Sequence, residues 1–286
     1  MQARAHAALA LVAADDPVAG PGEGVVALRT AALNRRDVFL RKGVAPSPLP
    51  VIPGSDGAGT VRSVGDGVSG VAGGDEVIVY PALGWGGGEE APAPGFRILG
   101  GPDDGTYAEL VRLPAENVLP KPARLSWEEA AALPLAGLTA YRALVSRARI
   151  RPGETVLVLG IGGGGATIAT MMARAAACRA IVTSSSQEKL DRARDLGADV
   201  VVDSVGATWG DSIAAVRPGG RVVAFGGTGG GKVELMVRAL TSGQVSLLGT
   251  TMAPGFDWDR FELGKRERLL KYWPDQREAI EHHTAA

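Results

Sequence analysis

Val156-Leu157-Val158-Leu159-Gly160-Ile161-Gly162-Gly163-Gly164-Gly165 is the stretch whose reading decides the fold. Thr155 to Leu159 suits a buried strand, and Ala166 to Ala177 beyond the glycines suits a helix. Between them, glycines 160, 162 and 165 keep the spacing Gly-x-Gly-x-x-Gly, with Gly163 beside them. Gly160 permits a tight turn, Gly162 lets a pyrophosphate approach the backbone, and Gly165 lets the helix pack closely on the sheet. The helix start then offers unpaired N–H donors to phosphate. Bare glycine runs also form plain flexible turns, but the strand before and the helix after this one favour nucleotide binding.

Moving outward, Ala180 to Thr183 reads as a strand, Gln187 to Leu196 as a helix, and Val200 to Asp203, Arg221 to Phe225 and Val245 to Leu248 as further strands. This βαβα order predicts an α/β fold with a parallel sheet and crossover helices. Upstream, Ser126-Trp127-Glu128-Glu129 has the pattern of an N-cap with a capping-box acid, opening a helical stretch. Before Pro122 the texture is different: short apolar segments such as Gly24 to Ala31, Gly59 to Val64 and Asp75 to Tyr80 are punctuated by glycine and proline, as in a small strand-rich domain. The expected organisation is therefore 1–122, 123–252 and a charged, aromatic tail, 253–286, in which Phe261 to Tyr272 suits a helix.

A site selective for NAD(H) usually carries an acid at the end of the second strand to bond the ribose 2′-hydroxyl. Here that strand ends Val182-Thr183-Ser184-Ser185-Ser186. Small hydroxyls leave room for a 2′-phosphate, and Lys189 or Arg192 can neutralise it, so Ser184, Ser185 and Lys189 favour NADP(H). The same residues also suit a helix cap with two cations on its solvated face.

The bulk numbers exclude several classes. With 30 lysines and arginines against 31 aspartates and glutamates, the net charge of −1 gives no footprint for nucleic acid or an anionic membrane. A small-molecule substrate fits better. Cys178 is the only cysteine and cannot form an intrachain disulfide, which with the absence of metal-ligand spacing suits a cytoplasmic setting. No apolar run approaches the roughly 20 residues of a membrane span, and Ala7 to Ala14 is too alanine-rich for a secretory core. Cys178 reads as a small buried side chain, and His282 and His283 as solvent-facing.

Ala32-Leu33-Asn34-Arg35-Arg36-Asp37, Ile52-Pro53-Gly54-Ser55-Asp56-Gly57-Ala58-Gly59, Gly74-Asp75-Glu76-Val77, Asp104-Gly105-Thr106-Tyr107-Ala108-Glu109 and Ala130 to Tyr141 together resemble the medium-chain dehydrogenase/reductase superfamily, from about Pro21 to Met252. The likeness is to its quinone oxidoreductase-like members. It implies a GroES-like catalytic domain followed by a Rossmann domain, with hydride transfer in the cleft between them. It also implies that Asn34 bonds a substrate carbonyl while Asp37 orders its loop, and that Thr139, Gly206, Phe225, Gly226 and Thr250 line the cofactor site. Read without the resemblance, Asn34 and Asp37 are equally turn-forming side chains, and the others loop and strand-end residues. Zinc-dependent members carry a cysteine in the region matched by Asn34 to Asp37 and a histidine in a Pro-Gly-His-Glu pattern, where this chain has Asn34, Ser55 and Asp56, and their four-cysteine lobe is replaced by Leu83 to Glu90. No metal is expected on that comparison.

The resemblance also exposes two departures. Leu196-Gly197-Ala198-Asp199 runs straight into Val200-Val201-Val202-Asp203-Ser204, so one βα unit of the family pattern is missing, and nothing after Met252 matches the family's return to the catalytic domain. The expected activity is NADP(H)-dependent, zinc-free reduction of a quinone or an activated alkene or carbonyl, by a homodimer. The alternatives are a noncatalytic nucleotide-binding or interaction protein, and a reductase acting inside a complex through its charged tail.

Overall fold

The computed structural model describes residues 9–43, 47–88, 90–161, 163–182, 198–203, 209–226, 234–252 and 274–284. The chain divides into two units, Met1–Leu135 and Ala136–Ala286, each with its own core.

In the first unit, numbered in chain order, the elements are β1 (Glu23–Ala32), α1 (Arg35–Arg41), β2 (Asp56–Val64), β3 (Glu76–Val79), β4 (Ala82–Leu83), β5 (Arg97–Ile98), β6 (Leu110–Pro114), β7 (Val118–Pro120) and α2 (Trp127–Ala132). The antiparallel sheet runs β6-β1-β2-β3-β7. Val25 pairs with Ser63 and Val26 with Val61, so Arg62 is the extra residue of a bulge in β2, while Val25 and Val26 are both fully buried. Val26, Val61, Val77, Val79, Leu99, Val111 and Leu113 form the core. β4 and β5 make a separate hairpin, closed by Trp85, which meets Phe96 edge-on at 5.0 Å and donates its indole N–H to Gly88 O at 2.8 Å. An aromatic pair thus closes the stretch that the resemblance matches to a four-cysteine lobe.

Ser126 caps α2 as its sequence indicates: Ser126 Oγ accepts from Glu129 N, and the Glu129 carboxylate accepts from Ser126 N. The division between units lies at 135/136 rather than 122/123. Residues 123–135 fold with the sheet, because Thr30 Oγ1 donates to Trp127 O and the Arg29 and Lys121 cations lie 5.0 and 4.9 Å from the centre of the Trp127 ring.

Helix α3 (Pro134–Tyr141) leads into π-helical turns over Arg142–Arg147. The second unit then follows as β8 (Thr155–Leu159), α4 (Gly164–Ala175), β9 (Arg179–Val182), β10 (Ala198–Asp203), α5 (Trp209–Ala215), β11 (Val216–Ala224), α6 (Val237–Gly243), β12 (Ser246–Gly249) and α7 (Arg277–Thr284). All five strands are parallel, in the order β12-β11-β10-β8-β9. Side-chain alternation sorts them onto two faces: Val156, Val158 and Val223 join α3, α4 and Ile280 of α7, whereas Leu157, Leu159 and Val222 join Ile213 of α5. Both faces are covered, as a doubly wound sheet requires.

β10 pairs directly with β8, so strand order reverses there, and β9 is a sheet edge among the described residues, with Val182 40% exposed. That edge is where the missing βα unit would add a strand. The helices expected at Gln187 to Leu196 and Phe261 to Tyr272 lie outside the described residues. β11 starts five residues before the strand expected at Arg221, because Val216 pairs with Ala198 across a register shift. Cys178 is buried and its thiol donates to Arg151 O at 3.1 Å. His282 and His283 fall in α7, but their side chains lie outside the described ones.

Candidate active site

In the first unit the polar residues singled out by the sequence converge on the start of α1. Asn34 is the N-cap in an extended conformation, and Asp37 at the third helical position accepts Asn34 N–H through Oδ2 at 2.8 Å. The same oxygen accepts the Tyr107 hydroxyl at 2.8 Å, while Asp37 Oδ1 is buried with no hydrogen-bond partner among the described residues. Burial, then the bond to Asp37, holds the Tyr107 phenol above its ordinary range and so protonated at neutral pH.

The Asn34 side chain does not cap the helix; its Nδ2 donates to Asp56 Oδ2 at 2.9 Å. Asp56 opens β2 opposite Ala32 and is 1% exposed. Its other oxygen accepts Leu135 N–H in the first turn of α3 at 2.9 Å, and its backbone carbonyl accepts Thr106 Oγ1 at 2.8 Å. Burial pushes this carboxyl up to about 7, with the Asp37 charge adding to the rise, while the bonds from Asn34 and Leu135 hold it down.

Arg36, which follows on α1, spends its guanidinium on Leu99, Gly100, Ile98 and Gly101 carbonyls and lies 3.4 Å from Ser55 Oγ. Burial lowers its pKa, and Asp37 opposes that. Ser55 Oγ itself donates to Leu99 O at 2.7 Å. The positions that the resemblance matches to zinc ligands therefore offer an amide, a hydroxyl committed to a carbonyl and the Asp56 carboxylate, whose two oxygens already accept from Asn34 and Leu135, with a cation close by. This set does not suit Zn²⁺. Among the described residues there is no cluster of three or more His, Cys, Asp or Glu that could hold a metal.

In the second unit the glycine turn sits at the carboxyl end of β8, beside the point where strand order reverses. Gly160 has φ +73°, a conformation side chains resist. α4 begins with Gly163 as its N-cap, without a side-chain cap or an acid in its first turn, which leaves backbone donors for an anion. A Cβ at Gly165 would lie 3.1 Å from the Phe225 ring, so this glycine is what allows β11's end and α4 to meet. These features fit a dinucleotide's pyrophosphate. Thr250 N donates to Ala224 O at 2.9 Å, which places Thr250 beside Phe225 and Gly226 at the carboxyl ends of β11 and β12. Thr139 is buried on α3, one turn beyond Ala136, whose Cβ lies 3.6 Å from where a Gly164 Cβ would stand. Gly162, Ser184, Ser185, Lys189 and Gly206 fall outside the described residues.

Asp56, Tyr107 and Arg36 received no role in the sequence reading. Tyr107 and Asp56 lie inside quoted family segments, yet nothing local to them announces Asp37 and Asn34 as partners 70 and 22 residues away.

The first unit is an antiparallel sheet domain and the second a doubly wound parallel sheet with a glycine turn at its switch point, the architecture of a dinucleotide-binding domain. Comparison with known proteins agrees. Residues 20–123 match the alcohol dehydrogenase GroES-like domain. A zinc-type alcohol dehydrogenase-like protein of Schizosaccharomyces pombe is 43% identical over 182 residues, covering 62% of this chain and 52% of that protein. The zinc-type alcohol dehydrogenase-like protein YogA of Leptosphaeria maculans is 37% identical over 262 residues, 85% of this chain and 72% of that one. Acryloyl-coenzyme A reductase of Metallosphaera sedula is 32% identical, covering 74% and 71%. The chain thus spans about half to seven-tenths of these relatives. Among solved structures, an NAD-dependent alcohol dehydrogenase matches with TM-score 0.77 and 37% identity over 95% of this chain and 85% of that one. The 2-octenoyl-CoA carboxylase reductase CinF, in complex with NADP and 2-octenoyl-CoA, matches with TM-score 0.75 and 25% identity, covering 92% and 76%. The chain belongs to the medium-chain dehydrogenase/reductase superfamily.

Proposed function

We propose that this chain is an NADP(H)-dependent oxidoreductase that reduces a quinone or an activated alkene or carbonyl without zinc. The observation that carries the reading is the uncapped glycine turn at the strand-order switch point, a site shaped for pyrophosphate. The first unit supplies the substrate chemistry. Asn34, fixed through its amide to Asp56, keeps a second N–H to offer a substrate carbonyl oxygen. Asp37 orders that loop through Asn34 N–H and Tyr107. Bound NADPH supplies the hydride; the reduced substrate takes its proton from solvent. A conjugated substrate is polarised enough to accept hydride by orientation and a few hydrogen bonds, which agrees with a donor set unsuited to zinc. The relatives named as acryloyl-coenzyme A reductase and 2-octenoyl-CoA carboxylase reductase support an activated alkene.

The test is a titration with NADPH and with NADH followed by nicotinamide fluorescence, then turnover of quinones and enones with and without a zinc chelator. NADPH should bind more tightly than NADH, and chelation should leave turnover unchanged. The sheet edge that β9 forms among the described residues favours a second reading, a noncatalytic nucleotide-binding or interaction protein that pairs with a second copy of itself. Binding of neither nucleotide, together with a dimer in sedimentation, would select it.

A further inference from the structure

We propose that Asp56 is a positioning residue, whose carboxylate fixes the orientation of the Asn34 side-chain amide and the first turn of α3 together. The inference rests on the reading of Asn34 as the group that meets substrate. Each Asp56 oxygen serves a different element: Oδ2 takes Asn34 Nδ2 from the start of α1 and Oδ1 takes Leu135 N–H from the start of α3, both at 2.9 Å. Among the described residues no cation is bonded to this buried acid. Arg36 is nearby in sequence, but its guanidinium is spent on the Ile98 to Gly101 carbonyls and Ser55.

The chemistry of the pair explains why a carboxylate stands there. Burying an acid without a counter-ion is costly, and a neutral acceptor would hold Leu135 N–H at less expense. What a neutral amide cannot do is discriminate. A side-chain amide presents an acceptor on one side and donors on the other, and it can flip wherever its partner both donates and accepts. An ionised carboxylate, the form Asp56 takes above about pH 7, only accepts, so there Asn34 must turn Nδ2 toward Asp56, and its remaining N–H and its Oδ1 take set directions. Asp56→Asn keeps the shape and removes that rule.

The test uses ¹⁵N-labelled full chain together with kinetics. In the wild-type protein the Asn34 side-chain amide, assigned by its loss in Asn34→Ala, should give two distinct proton resonances, one displaced downfield by the carboxylate. Averaged or undisplaced resonances would overturn the proposal without any Asp56 variant. In Asp56→Asn those resonances should move or broaden. Asp56→Glu, which keeps an acceptor-only group, should restore the displaced resonance if the longer side chain still folds. With a turned-over substrate, Asp56→Asn should lower kcat by about tenfold at unchanged NADPH affinity, and Asn34→Ala added to it should cost nothing more. Losses that multiply would assign Asp56 a purely structural role and refute the inference. Wild-type protein that binds no nucleotide and turns over no substrate refutes the proposed function instead, and the resonance experiment still decides on Asp56.

Discussion

Asp56 binds its proton more tightly in the folded protein, where its pKa is about 7, than at the ordinary value of 3.8. The stability that this confers is complete below about pH 4 and is lost as pH rises through about 7. Asp56→Asn removes the dependence, so the variant should gain on wild type by a few kcal/mol, on the order of the shift's equivalent, between about pH 4 and pH 8. Thermal melts at intervals across that range check it; a constant difference would refute it. Gly165 answers to a contact of a different kind, with the Phe225 ring 3.1 Å from where its Cβ would be. Gly165→Val should cost about 1–3 kcal/mol by overpacking and weaken NADPH binding, and Phe225→Ala in the same chain should recover most of the stability. Denaturation midpoints of the two single variants and the double one decide the point. Of these residues, Gly165 was legible from its spacing alone. Asp56 was visible only as a departure from a histidine-bearing pattern, because its partners are brought to it by β2 and α3.

The start of α2 was legible because a capping box is a local arrangement, closed within four residues. Ser126→Ala should therefore cost about 1 kcal/mol, read as a lowered urea midpoint with an unchanged slope. β8 matches its sequence reading residue for residue, because a buried parallel strand is a short apolar run with glycine behind it. The π-helical turns at Arg142–Arg147 had no such signal. Apolar spacing does not separate i→i+4 from i→i+5 bonding, and here Ala148 N donates to Ala143 O. The bulge at Arg62 was hidden for a similar reason, since it depends on the register that β2 takes with β1. The aromatic closure of the β4–β5 hairpin could not be read either: Trp85 and Phe96 are 11 positions apart and meet only when the hairpin forms.

At the scale of the whole molecule, the C-terminal segment shows how far from its neighbours in sequence a residue can do its work. α7 returns to the second unit, and Ile280 is fully buried in the core shared by α3, α4, β8 and β11. Ile280→Ala should cost about 2–5 kcal/mol and lower Tm by several degrees, whereas a tail that merely trailed from the sheet would tolerate the change. The same helix was unreadable from sequence, because one apolar residue in a polar, eight-residue helix carries no periodicity. What the sequence determined by itself was the class of fold, the order of strands β8 to β12 with helix α4 between the first two, and the glycine turn at the end of β8, since each follows from short-range pattern: apolar runs, caps and residues without a Cβ. Tertiary structure alone decided that residues 123–135 belong with the first sheet, that β10 lies against β8, and that Asn34, Asp37, Asp56 and Tyr107 form one hydrogen-bonded group. Those depend on register and on contacts across tens of residues, where the free energy lies in burial and in satisfying polar groups that no local pattern records.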